Sequence, residues 1–390
     1  MIPYGRHHLE EDDIVAVTEI LKAGLLTQGP MIEAFETAVA DYVGSRYAVA
    51  VSSCTAALHL AALSADIRPG RKLVTSPITF VASANAALYC GGTIAFCDID
   101  PSTVNMDPNA LEAVLAEADD VGVVSPVHFG GLPCDMERIG HLARKAGALV
   151  VEDAAHALGA RYSDGSRVGS GTYGDMTAFS FHPVKAIAAG EGGMITTNDE
   201  NLYRRLLRLR SHGINKLNDS MVGSDLAFEN GKLNPWYYEM QELGHHYRIT
   251  DIQCALALSQ LKKLDRFLAR RQQLAAVYDA AFSSFTNLSP AQPMARERSG
   301  LHIYVVRIDY AAAGISRGDL MRALRSRDIG SQVHYVPVPA HPYYRQRGFD
   351  PKSYGHAWKY YQDALSIPLF FDLTDAQQSD VITALQEIVG

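Results

Sequence analysis

Two apolar runs, Val121-Gly122-Val123-Val124-Ser125-Pro126-Val127 and Ala148-Leu149-Val150-Val151-Glu152-Asp153, flank the helical segment Met136–Ala146. This strand–helix–strand reading decides the fold, because a crossover that returns to a parallel strand is right-handed and leaves its helix on one face of the sheet. The same rhythm extends upstream. Strands are expected at Tyr47–Ser52, Lys72–Ser76 and Thr93–Cys97, with helices at Ala56–Ser64, Val81–Tyr89 and Asn109–Ala118. Such alternation predicts a mostly parallel sheet covered by helices, with ligands outside the carboxyl ends of the strands.

Before this unit come two helical segments. Leu9–Ala23 carries Ile14, Val17, Ile20 and Leu21 at helical spacing and ends at Gly24, and Pro30 opens a second helix that stops at Gly44. After it the rhythm breaks. Met176–Phe181 and Met194–Thr197 leave little room for a helix between them and predict a hairpin-like departure from the parallel pattern. Asn201–Arg210 reads as a basic helix with a solvated face, Asn218–Gly244 as irregular and aromatic, and Asp251 to about Phe282 as one long helix. From Leu301 the pattern is strand, helix, strand, a Pro- and Tyr-rich stretch, and a closing helix. A boundary near 250 divides a large unit, residues 1–250 with the N-terminal arm, from a smaller one, residues 251–390.

Composition narrows the function. The chain has 390 residues, 47% of them hydrophobic, and a net charge of −8. The apolar content suffices for sizeable cores, and the acidic balance argues against bulk binding to nucleic acid or an anionic membrane. Five widely spaced cysteines with no C-x-x-C disfavour a disulfide framework or a zinc ribbon, and predict reduced thiols in a cytoplasm. Neither a signal peptide nor a membrane span is expected. The many histidines do not fall at metal-ligand spacing, so no metal site is predicted. Gly169-Ser170-Gly171-Thr172-Tyr173-Gly174 matches G-x-G-x-x-G, but a polar turn precedes it and a strand follows it. The dinucleotide fingerprint needs the opposite order, so this is a glycine-rich turn.

Three features carry chemistry. Lys185 is the only lysine between Lys145 and Lys216 and lies in a largely apolar stretch after a strand. A partly desolvated lysine has a lowered pKa and can form a Schiff base with an aldehyde. Asp153 ends a strand, where an anion can partner a pyridine nitrogen, and strand alternation sends Glu152 to the other face. Ser52-Ser53-Cys54-Thr55-Ala56 joins a strand to a helix, whose unpaired N–H groups form a phosphate cup.

Leu26-Thr27-Gln28-Gly29, Ser53–Leu58, Pro77–Ala82, Glu152–His156, Phe179–Lys185 and Tyr247–Gln253 together resemble the DegT/DnrJ/EryC1/StrS family of sugar aminotransferases, nearly from end to end. Ser180–Lys185, Ser211-His212-Gly213 and Gln332–Tyr335 resemble its pseudaminic-acid branch, which aminates C4 of a UDP-linked 4-keto-6-deoxy-N-acetylhexosamine with glutamate as donor. The resemblance implies an α/β protein of the pyridoxal-phosphate fold type I, with a smaller C-terminal α/β domain, working as a homodimer with shared active sites. It implies pyridoxal 5′-phosphate on Lys185, Asp153 at the ring nitrogen and His156 at the phenolic oxygen. Phe80 would stack on the ring, and Cys54, Thr55, Ala56 and Ser180 would surround the cofactor. Tyr4, Gly24, Leu25, Leu26 and Thr27 would line the sugar-nucleotide pocket, as would Gln332, Val333, His334 and Tyr335. Where family members place an asparagine toward the neighbouring subunit's phosphate, this chain has His246, whose imidazole can donate the same hydrogen bond. A lysine at 185 implies transamination, since relatives that dehydrate at C3 lack it.

Overall fold

The computed structural model describes residues 1–215 and 221–390. Residues 218–220, which begin the expected irregular segment, lie outside the described residues. Two helices open the chain, α1 (Glu11–Ala23) and α2 (Pro30–Val43), each followed by a left-handed glycine, Gly24 and Gly44. The buried carboxylate of Asp251 accepts from the N–H groups of Gly29 (2.8 Å) and Met31 (3.0 Å) and so caps α2 from a distant part of the chain. A Cβ on Gly29 would stand 2.6 Å from that carboxylate, so the turn requires glycine.

The seven-stranded sheet contains β1 (Tyr47–Val51), β2 (Lys72–Thr75), β3 (Thr93–Phe96), β4 (Val121–Ser125), β5 (Leu149–Asp153), β6 (Met176–Ser180) and β7 (Gly193–Thr197). Their order is β1-β7-β6-β5-β4-β2-β3. All neighbours are parallel except β7, which runs antiparallel to both β1 and β6. The crossovers are α3 (Cys54–Ser64), α4 (Val81–Tyr89), α5 (Pro108–Glu117) and α6 (Met136–Lys145). Strands β4, β6 and β7 are buried throughout, as a sheet covered on both faces requires. The hairpin reading of 176–197 matches the β6–β7 pair. The loop between them is closed on itself, Phe181 donating to Gly192 O and Ala189 donating to Phe181 O.

The arginine-rich helix α7 (Glu200–Arg210) differs from the solvated face expected of it. Arg205 and Arg208 both pair with Glu242, and Arg210 pairs with Glu36 at 2.6 Å. Periodicity also misses a break in the long helix. The chain forms α8 (Asp251–Leu261) and α9 (Leu264–Phe282), interrupted where Lys263 turns in to meet Asp13 at 2.9 Å. A buried ammonium is held only against a paired charge, and meeting that pair takes precedence over helix continuity.

The packing does not change at this break. Ile249, Cys254, Ala257, Leu264 and Leu268 pack with α2 and the large sheet, whereas Leu274, Tyr278 and Phe282 pack with the second unit. The change of core therefore falls within α9, beyond the boundary expected near 250. The second unit has a three-stranded antiparallel sheet, β8 (Leu288–Pro290), β9 (Tyr304–Ile308) and β10 (Ala364–Ile367), with α10 (Arg317–Ser326) and α11 (Asp375–Val389). The N-terminal arm also joins this unit. Ile2 is part of its core and bridges Ile329, and Tyr4 O accepts from Leu369 N at 3.1 Å. The strand expected between α10 and the Pro- and Tyr-rich stretch is instead extended chain tied by single bridges at Ile329 and Gln332. Among the described residues no helix is long and apolar enough to cross a membrane.

Candidate active site

The carboxyl ends of β5 and β6, the start of α3 and the β6–β7 loop enclose one side of a cavity of about 440 Å³, and residues of the second unit close the other. At its floor, Ser53 caps α3 by accepting from Ala56 N at 3.1 Å. The N–H groups of Cys54 and Thr55 lie in the first helical turn, where no preceding carbonyl of the helix can take them. Gly193 allows this arrangement, because a Cβ there would come within 2.5 Å of the Ser53 carbonyl group. Cys54 and Thr55 line the cavity. Ala56 is buried one residue further in, its N–H already given to Ser53.

Asp153 ends β5 and faces the cavity while remaining 5% exposed. Its Oδ2 accepts from Ser83 Oγ at 2.6 Å and its Oδ1 from Ala155 N at 3.1 Å, and Thr79 Oγ1 meets Ser83 Oγ at 2.7 Å. Glu152 points to the opposite face of the strand, as alternation requires. There it accepts from Tyr162 OH (2.6 Å) and Thr177 Oγ1 (3.2 Å) and meets His128 Nε2 at 2.7 Å.

Lys185 lies in the β6–β7 loop, its N–H turned back to His182 O. Burial pushes its amine down to about 8, against the pull of Cys54 and Asp153 in the other direction. His302 Nε2 stands 3.3 Å from Lys185 Nζ. His156 is buried against His302, ring centroids 4.3 Å apart, and its Nε2 meets Tyr335 OH at 3.2 Å. Burial, then the Lys185 charge, holds both imidazoles well below the ordinary histidine range. His334 is lowered to about 4 for the same two reasons. His156, His302 and His334 thus stand as neutral rings about Lys185 and Asp153.

The sequence-derived residues fall into two groups. Ser180 ends β6 at the cavity wall, and Phe80, 59% exposed, stands on the rim with its ring 6.4 Å from that of Tyr335. Tyr4, His334 and Tyr335 form the side opposite the sheet, the Tyr4 and His334 rings being 5.4 Å apart. Gln332 and Val333 lead into that side without lining it, Gln332 being tied to Ser366 through both backbone groups. Gly24, Leu25, Leu26 and Thr27 are elsewhere. Leu26 O accepts from Asp251 N, Thr27 bridges Thr250, and Leu25 and Leu26 are exposed. His246 is bridged to Ser211, which lines a second hollow together with Gln28, the neighbour of Thr27, and it does not line the cavity of its own chain. Sequence reasoning missed His302 and Ser83. The signal for His302 was an imidazole inside the apolar run Leu301-His302-Ile303-Tyr304-Val305-Val306, and for Ser83 its i+4 spacing from Thr79.

Comparison with known proteins places this geometry. The sequence profile of the DegT/DnrJ/EryC1/StrS aminotransferase family matches residues 7–386. The spore coat polysaccharide biosynthesis protein SpsC of Bacillus subtilis is 40% identical over 390 residues, covering 100% of this chain and 97% of SpsC. Helicobacter pylori PseC, an aminotransferase involved in the biosynthesis of pseudoaminic acid, superimposes with a TM-score of 0.89 at 28% identity, covering 100% of this chain and 99% of PseC. Spr1654 from Streptococcus pneumoniae, solved in its PMP form, gives a TM-score of 0.89 at 27% identity over 100% and 99% of the two chains.

Residues present here fit pyridoxal phosphate. A buried amine whose pKa is lowered to about 8 suits an aldehyde, Asp153 can pair with a ring nitrogen, and a helix start can take a phosphate. The Nδ1 atoms of His156 and His302 are buried without partners, which leaves polar capacity free beside the amine.

Proposed function

Because the chain belongs to the DegT/DnrJ/EryC1/StrS aminotransferase family and is a pyridoxal-phosphate-dependent transaminase, we propose that it moves an amino group from L-glutamate to C4 of a UDP-linked 4-keto-6-deoxy-N-acetylhexosamine, a step of pseudaminic acid biosynthesis. The product would be UDP-4-amino-4,6-dideoxy-N-acetyl-β-L-altrosamine. The observation that carries this reading is the likeness to PseC along the whole chain, including the segment that brings His334 and Tyr335 to the cavity. The higher identity to SpsC favours a second reading, a C4 aminotransferase for another nucleotide-linked 4-keto sugar, such as a GDP-linked one.

Bound pyridoxal phosphate supplies an aldehyde to take up the donor's nitrogen and a ring that holds the electron pair freed at the donor's Cα. Lys185 would hold the cofactor and, when released, would move a proton at Nζ from the donor's Cα to the cofactor's aldehyde carbon, and from that carbon to the sugar's C4 in the second half of the cycle. Its lowered pKa leaves a usable fraction of free amine near neutrality. Asp153, fixed by Ser83 and Ala155, would keep the ring nitrogen protonated. His156 would sit at the phenolic oxygen and Phe80 over the ring. The first turn of α3, with Ser180, would bind the phosphate. Tyr4, His334 and Tyr335 would orient the sugar and exclude water on the other side. The separate cluster of Gly24–Thr27 and His246 supports a homodimer in which each chain lends these residues to its partner's cavity. A retained Lys185 with Asp153 and the α3 cup disfavours a catalytically silent regulatory role.

The test is a substrate panel. Purified protein, pyridoxal phosphate and glutamate are incubated with UDP- and GDP-linked 4-keto-6-deoxy sugars, and products are identified by mass and NMR. Amination of the UDP-N-acetylhexosamine substrate alone supports the first reading. Preference for another sugar supports the second, and no amine transfer to any of them defeats both.

A further inference from the structure

His302 comes from the second unit, and its N–H donates to Gly130 O of the large unit at 2.9 Å. Buried Arg271, on α9, donates through one guanidinium nitrogen to Leu301 O and His302 O, both at 3.2 Å, and to Leu369 O at 2.9 Å. The imidazole is therefore held by its backbone, and its ring makes no hydrogen bond among the described residues except the one to Lys185. Burial and the charges of Lys185 and Arg271 keep the ring neutral. Facing the ammonium form of Lys185, which has donors only, a neutral imidazole accepts at Nε2, and its own proton is then on Nδ1. An ordinary core histidine would satisfy both nitrogens within the protein. This one has a single contact, and that contact is the amine.

We propose that His302 is a positioning residue for Lys185, accepting one N–H so that the lysine's lone pair is aimed into the cavity. Lys185 Nζ has several donor directions and one lone pair when neutral. Engaging one N–H on the His302 side restricts the rotation of the amine about its last bond. The acceptor also stabilises the ammonium while the lysine carries a proton. Because Lys185 belongs to the large unit and His302 to the small one, the amine is aimed only when the two units are in register.

The inference rests on Lys185 being the cofactor-bound, proton-carrying residue, so its test is split into two arms. In the apo-protein, Lys185 is labelled with trinitrobenzenesulfonate across a pH series and its peptide quantified by mass spectrometry. The groups facing the amine are Cys54, Asp153, His156, His302 and His334. Replacing His302 by Leu removes an acceptor from the charged form, so the labelling midpoint moves down by about one pH unit, about tenfold in the free-amine ratio. His302→Gln retains a carbonyl acceptor and stays near wild type. If the Leu variant does not fold, His302→Asn, whose carbonyl is too short to reach, takes its place. In the second arm, the holoenzyme reacts with ordinary or α-deuterated glutamate and no sugar. Leu at 302 slows this half-reaction about 10–100-fold and enlarges the isotope effect, with the KM for glutamate unchanged, while Gln retains most of the rate. An unchanged labelling midpoint in a folded Leu variant, or equal losses with Leu and Gln, overturns the proposal. A wild-type holoenzyme that does not react with glutamate defeats the transaminase reading instead, and the labelling arm still decides for His302.

Discussion

Replacing Glu152 by Ala should unfold the cavity's support from behind. The carboxylate is fully buried and holds His128, Tyr162 and Thr177 at 2.7, 2.6 and 3.2 Å. His128 Nδ1 accepts from Cys134 N at 3.1 Å, so its proton lies on Nε2 and has only Glu152 to go to. Truncation orphans three buried donors, each worth about 1–3 kcal/mol. Some relax, and a net loss of about 3–5 kcal/mol is expected, the usual range for breaking a buried charged contact. Gln behaves differently. Its carbonyl can take the Oε2 position and both its donors, and its NH₂ can donate to the Thr177 hydroxyl, which then accepts. That variant should lose only about 1 kcal/mol. Urea unfolding at fixed protein and cofactor concentration, followed by far-UV circular dichroism, reads both. Glu152→Ala should also weaken cofactor binding, because Asp153 is the next residue on the same strand. Equal losses for Ala and Gln, or a loss below about 1 kcal/mol for Ala, would refute the reasoning.

Asp153→Asn keeps the contact from Ala155 N through its one carbonyl oxygen and can reverse the other, its NH₂ donating to the Ser83 hydroxyl, but it puts an uncharged group at the ring nitrogen. An ion pair worth about 4 kcal/mol at an effective dielectric of 20 is lost, so kcat in the glutamate half-reaction should fall about 10²–10³-fold, and a loss under tenfold argues against the assigned role. Capture of pyridoxal phosphate by the apo-protein, followed by stopped-flow absorbance, should accelerate with pH and level off above about 8; a midpoint near the ordinary lysine value would contradict the buried amine. The same depressed pKa means that the unfolded chain binds more protons between about 8 and 10.5, so apo-protein stability should rise with pH through that window, and Lys185→Met should flatten the rise. Mixing Lys185→Ala chains with chains carrying His246→Ala and Thr27→Glu should restore activity, because each mixed dimer regains one intact shared site; if neither variant rescues the other, the two groups do not meet across subunits.

The sheet was legible because each crossover repeats a local signal, a short apolar run and then a helical period. The Lys185–Asp153–α3 constellation followed because all three sit at strand ends, where topology alone collects them. What could not be read were contacts that depend on distant partners. The break at Lys262–Lys263 needs Asp13, and nothing in the local period of 251–282 shows it. Ile2 and Tyr4 joined the second unit through Ile329 and Leu369, more than three hundred residues away in sequence. His302 was hidden for the same reason, since its meaning comes from an amine on another unit. Gly24–Thr27 and His246 were assigned to the sugar pocket by resemblance, and within one chain they cluster away from it.

This division has a consequence for how substrates are chosen. Residues that would meet the cofactor, Asp153, Cys54, Thr55, Ser180 and Lys185, belong to the large sheet and its loops. Tyr4, His334 and Tyr335 belong to the second unit, where Tyr4 is anchored to Leu369, His334 to Ser366 at 2.7 Å and the His334 carbonyl to Tyr360. A substitution that repacks the second unit therefore moves the sugar-facing wall as a piece and leaves the floor in place. The cost of doing so falls on contacts that span the seam beside the amine, among them Tyr335 to His156 and, at Nζ itself, Lys185 to the imidazole of His302. Changes of sugar preference are thus constrained by the need to keep that imidazole within reach of Nζ, whereas changes on the large sheet are constrained by the cofactor. Variants selected for a new keto sugar should accumulate around Tyr4 and residues 332–335, with Arg271, which fixes the His302 backbone, left unchanged.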